Sequence, residues 1–156
     1  MLLVTLVPQL VMFVGNAFVA DSFTDHAVDN LDQIAPIVAT AVLGSALTAS
    51  IGAAVAAQTP QRVFATVGII AAFLLPWIVA SALVESIDSL SARLAIFISP
   101  VALIEGFTIW MFRVDAVTAE TVFAADFALE TYALVAVALA GICYAILLRR
   151  YLQVAP

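Results

Sequence analysis

The chain contains no lysine, one histidine and one cysteine, and only 10% of its 156 residues carry a formal charge. A water-soluble domain of this length covers its surface with about a quarter charged residues, so a soluble globular fold is excluded first. Without lysine, five arginines face 11 acidic residues and the net charge is −6. No basic stripe is available to follow a phosphate backbone, and nucleic acid is not an expected partner. The single cysteine, Cys143, lies inside an apolar run and has no intrachain disulfide partner. The chain has no GKS or GKT phosphate loop, no His/Glu metal pair and no serine–histidine arrangement, and its one histidine, His26, stands in a polar segment. That is poor material for general-base or nucleophilic catalysis. The expectation is a non-enzyme with no cofactor.

What the chain has in abundance is apolar sequence: 65% hydrophobic residues and a mean hydropathy of +1.20. Four stretches carry no formal charge: 1–20, 33–61, 63–84 and 131–148. At 1.5 Å per helical residue, each approaches or exceeds a hydrocarbon core about 30 Å thick. Spanning helices are expected at about 2–20, 34–57, 63–84 and 131–148. The first lacks the basic start of a secretory signal and has no small-x-small cleavage site before a soluble domain, so it reads as a retained helix. Pro36 falls in a first helical turn, where proline is tolerated. Pro76 lies inside the third span, where a proline removes one backbone hydrogen bond and kinks a membrane helix.

Between the third and last spans, residues 94–112 are apolar but contain Ser99-Pro100, Glu105 and Gly106. Proline biases the residue before it away from helix, and a glutamate facing lipid costs about 2.5 kcal/mol or more. Two short half-helices that enter and leave one leaflet satisfy both constraints, with a break near Ser99-Pro100 or Glu105-Gly106. The expected fold is therefore all-α: a polytopic transmembrane helical bundle of four spanning helices, with a re-entrant or interfacial helical hairpin before the last span. Arginine bias gives three against two for either four or five spans, so the proline and glutamate carry the decision. They place both termini in the cytoplasm of a cell membrane.

Candidate sites each have a plain alternative. Thr40, Gly44, Thr48, Gly52 and Ala56 recur every four residues, a small-residue stripe suited to close helix packing. Such a stripe serves packing within the chain or against another subunit. Asp21, Asp25, His26, Asp29 and Asp32 fall short of a calcium or zinc ligand set and read as a solvated loop. Acidic loops without lysine also suit a high-salt host. Glu105 is the one acid embedded in an apolar segment, either a gating group or an interfacial acid. Trp77, Trp110, Tyr132 and Tyr151 are expected at the headgroup level.

From Ile34 onward the order of features resembles the C-terminal part of the type-2, export-type ABC transporter permeases. The resemblance runs from the small-residue helix 41–52 through the arginine-bearing hairpin 58–62 to the helix ending Phe73-Leu74-Leu75-Pro76-Trp77. It continues in the Ser99-Pro100 segment up to Phe107 and in a terminal helix closing on Arg149-Arg150-Tyr151. It implies a membrane subunit paired with a second permease copy and coupled to a separate ATP-binding cassette ATPase. It also implies an outer gate or substrate path around Ser99, Pro100 and Glu105, and a kink at Pro76. Such permeases carry six spans and an N-terminal cytoplasmic helix that engages the ATPase. Four spans imply a truncated, split or degenerate relative. The competing expectation is a small accessory protein that scaffolds other transmembrane helices.

Overall fold

The computed structural model describes residues 2–19, 31–59, 61–113 and 120–154, and all regular structure within them is helical. Seven α-helices follow one another: α1 (Leu2–Val19), α2 (Ile34–Gln58), α3 (Arg62–Ser86), α4 (Leu90–Leu94), α5 (Pro100–Phe112), α6 (Glu120–Ala124) and α7 (Leu129–Val154). Short 3₁₀ turns at Leu31–Gln33 and Ala95–Ile98 lead into α2 and out of α4. The chain is a membrane-embedded helical bundle. α2, α3 and α7 are each long and apolar enough to cross a bilayer. α1 has 18 residues, a rise of about 27 Å, slightly less than the hydrocarbon core.

Local chemistry explains the boundaries. α2 stops because Pro60 follows Thr59 and forces it to extended geometry, φ −112° and ψ 121°. Thr59 then satisfies two terminal carbonyls: its Oγ1 donates to Val55 O at 2.7 Å and its amide to Ala56 O at 3.3 Å. Several hydroxyls inside the spans bond to their own helix, whereas the buried Thr40 Oγ1 has no partner among the described residues. Thr48 Oγ1 donates to Gly44 O (2.7 Å) and Ser81 Oγ to Trp77 O (2.9 Å). α3 runs as one helix through Pro76. α7 continues beyond the expected end at 148, past Arg149 and Arg150, to Val154.

The core lies where α2, α5 and α7 meet, and it includes Leu47, Ile51, Leu103, Tyr132 and Ala136. On α2 the buried residues are Ile37, Thr40, Ala41, Gly44, Ser45, Leu47, Ile51 and Ala54, a seam of alternating three- and four-residue steps. The four-residue stripe read from the sequence turns about 40° per step away from that seam. Accordingly Thr40 and Gly44 are buried, Thr48 and Gly52 half-buried and Ala56 exposed. α3 is the opposite case: only 6% of its apolar window is buried within the chain. Val63, Phe64, Val67, Ile70, Leu75 and Ile78 are all more than half exposed, which is tolerable only where lipid is the solvent.

Three contacts establish which helix ends share a face. Gln58, Ile146, Arg149 and Arg150 line one surface depression, so the C-terminal parts of α2 and α7 are neighbours. At the other end Arg93 lies 2.9 Å from Asp88 and 3.9 Å from Asp126. α2 and α7 therefore run parallel and α3 antiparallel to both. One end of the bundle carries Arg149 and Arg150; the other carries Asp88, Arg93 and Asp126.

Candidate functional site

The helices Leu90–Ile98 and Pro100–Phe112 meet at an angle of 92°. The break falls at Ser99-Pro100, whereas α5 runs uninterrupted through Glu105-Gly106, the alternative position read from the sequence. Pro100 holds Ser99 in extended geometry, φ −86° and ψ 111°, and then begins α5. Ser99 is fully buried and leaves no backbone group stranded. Its Oγ accepts from the Ala102 amide at 3.3 Å, its amide donates to Ile96 O at 3.1 Å, and its carbonyl accepts from the Leu103 amide at 3.1 Å. A broken helix is stable at membrane depth only when its polar groups are paired inside protein in this way.

The bent element starts and finishes on one face. Arg93 precedes the break and Asp126 follows α6, yet their side chains lie 3.9 Å apart. The residues that flank the bent pair and α6 therefore both lie at the acidic end of the bundle. Both ion pairs of Arg93 involve well-exposed carboxylates, 88% for Asp88 and 86% for Asp126. They add at most about 1 kcal/mol to stability and matter here as markers of level.

Packing clamps the element on three sides. Its short 3₁₀ arm lies on α3, and α5 lies between α2 and α7. Phe97 sits with its ring centroid 4.8 Å from Phe127 and 5.2 Å from Tyr132. Ile104 faces Gly44 of α2, at 3.9 Å from the position a β-carbon there would take. Gly106 faces the ring of Tyr132, and a β-carbon on Gly106 would lie 2.5 Å from Tyr132 Cγ. Tyr132 is fully buried and its hydroxyl donates to Val122 O at 3.3 Å. One tyrosine thus joins α7 to both the bent element and α6.

The expected site residues separate into different environments. Ser99 and Pro100 form the buried vertex. Glu105 is half-buried on α5 and makes no hydrogen bond or ion pair with any described residue. Gly44 meets α5, while Gly52 meets Ile69 of α3, so the small-residue helix is occupied within this chain on two sides. Thr48 spends its hydroxyl on its own helix. Pro76 is half-buried and lies inside α3. Tyr132 is a core residue, which corrects the reading of it as a headgroup anchor. Trp77 is exposed on α3, about 14 Å along the helix from Ser86.

Gly106 as the seat of Tyr132 is not legible from the sequence, because 26 positions separate them and no periodicity joins α5 to α7. Of the acidic segment 21–33, only Asp32 among the candidate ligands is described, and it is exposed; Asp21, Asp25, His26 and Asp29 lie outside the described residues. Among the described residues no three His, Cys, Asp or Glu side chains gather. The arrangement is a sharply bent helix pair with a hydrogen-bonded, buried vertex and one acid on its inner arm. No family model, curated protein or solved structure matches this chain.

Proposed function

We propose that the chain is a non-catalytic permease component of an ABC-type export system. It would be coupled to a separate ATP-binding subunit and paired with a second permease copy. The observation that carries this reading is the 92° bend before α7, whose break is buried and hydrogen-bonded and whose flanking residues Arg93 and Asp126 meet at one end of the bundle. Such an element stoppers one end of a path without crossing the membrane itself. Ser99 and Pro100 set its shape, and Glu105 supplies the only charge on its inner arm. The arginine-bearing end then faces the cytoplasm by the positive-inside bias, and the bent element faces outward in the cell membrane. Docking of an ATPase belongs to the arginine end, where ATP is available.

The test is co-purification of the tagged full chain with ATP-binding subunits encoded beside it, together with measurement of their ATP turnover. Stable association and altered turnover support the reading. No association, with turnover unchanged by the chain, removes it.

A second reading, an accessory scaffold for other transmembrane helices, is favoured by α3, which leaves Val63, Phe64, Val67, Ile70, Leu75 and Ile78 more than half exposed. It places the docking face on α3 rather than on Gly44 and Gly52, which are already packed. Photocrosslinkers at Val67 and Ile78 that capture only lipid would exclude it.

A further inference from the structure

The end of the bundle opposite the bent element carries Arg149 and Arg150, neither of which forms an ion pair with a described residue. Arg149 and Arg150, with Gln58 from the end of α2 and Ile146 from α7, line a shallow depression. Both guanidinium groups are exposed. Among the described residues the only ion pairs are those of Arg93, at the far end. The described acids near helix ends, Asp32, Glu85, Asp88, Asp126 and Glu130, all belong to that far end as well. Two carbonyls at the close of α2, those of Val55 and Ala56, are already taken by Thr59, which softens the negative end of that helix.

The depression also has a definite depth. Arg149 stands about 30 Å along α7 from Leu129, one hydrocarbon thickness away, so the two guanidinium groups lie at the headgroup level. Below them the exposed side chains of Ile142 and Ile146 provide an apolar wall. A cationic rim above an apolar wall matches an anionic headgroup attached to acyl chains better than it matches a free anion.

We propose that this depression binds the phosphate of an anionic phospholipid, of the phosphatidylglycerol class. The planar guanidinium groups can engage phosphate oxygens in pairs, and the Gln58 amide adds a neutral donor. The acyl chains run down the Ile146–Ile142 side of α7. This inference depends only on the membrane-embedded fold and stands whether or not the chain serves an exporter.

The experiment uses the full chain reconstituted in phosphatidylcholine bilayers with spin-labelled lipids, reading the motionally restricted fraction of labelled phosphatidylglycerol against labelled phosphatidylcholine. Each basic residue at a membrane surface is worth about fivefold in affinity for acidic lipid, so a preference of at least about fivefold is expected. R149Q/R150Q should abolish it, R149K/R150K should keep part of it, and R93Q should leave it unchanged. The lysine variant retains the charge, so a loss caused by misfolding is recognisable. Absence of preference in the unaltered chain, or its survival in R149Q/R150Q, overturns the proposal. Competition by excess inorganic phosphate at constant ionic strength would assign the site to a free anion and would also overturn it.

Discussion

Replacing Gly106 by alanine tests the central packing claim most directly. The added β-carbon would fall 2.5 Å from Cγ, 2.6 Å from Cδ1 and 3.0 Å from Cδ2 of Tyr132. Cγ is the root of the ring, one bond from its own β-carbon, so no rotation of a flexible tip relieves the clash. The ring is enclosed by Phe97 and tied through its hydroxyl to Val122 O, so either the ring or the backbone of α5 must move. Overpacking of this kind costs about 1–3 kcal/mol, and loss of the tyrosine hydrogen bond adds about 1 kcal/mol. Alanine's better helix propensity offsets about 1 kcal/mol. The net expectation is a loss of about 1–3 kcal/mol in reversible unfolding by denaturing detergent in mixed micelles. Gly141 is the internal control: nothing lies within 4 Å of its virtual β-carbon, so G141A should be neutral or stabilising by up to about 1 kcal/mol. Pairing G106A with Y132L should cost less than the two changes summed, because each relieves part of what the other disturbs. G106A as stable as G141A would refute the claim that α5 and α7 touch at this point.

Other expectations follow from single contacts. Ser99→Ala strands the Ala102 amide at a buried helix start and should cost about 1–2 kcal/mol in the same unfolding assay. Ser89→Ala, which removes the equivalent cap of α4 at a half-buried position, should cost less. Gly68→Ala brings a β-carbon to 2.9 Å from Val55 Cγ1; small shifts of that methyl limit the loss to about 1 kcal/mol, below that of G106A. In a Cys143→Ala background, single cysteines at Asp88 and Asp126 should react with an impermeant maleimide from one side of sealed vesicles, and cysteines at Gln58 and Arg150 from the other. Labelling of 88 and 126 from opposite sides would show that the 94–125 stretch crosses the membrane.

The sequence by itself determined the class of fold. Charge-free runs of membrane length admit only structures that close their own backbone hydrogen bonds, and in this chain that means helices. It also narrowed the break to Ser99-Pro100 or Glu105-Gly106, the first because Pro100 acts on Ser99 through local sterics that need no partner. Tertiary structure decided everything that depends on which faces meet. The seam on α2 drifts from the four-residue stripe because burial follows its neighbours α5 and α7, not the spacing of small residues. Glu105-Gly106 looked like a second possible break, yet α5 passes through it intact, and the glycine is there to admit a tyrosine from a helix far along the chain. Tyr132 left its expected surroundings for the same reason: residue type gives a preference for depth, while packing fixes where the side chain is buried. The return of the bent element to its starting face was likewise settled by a long-range meeting, Arg93 with Asp126, and no local pattern in the sequence encodes it.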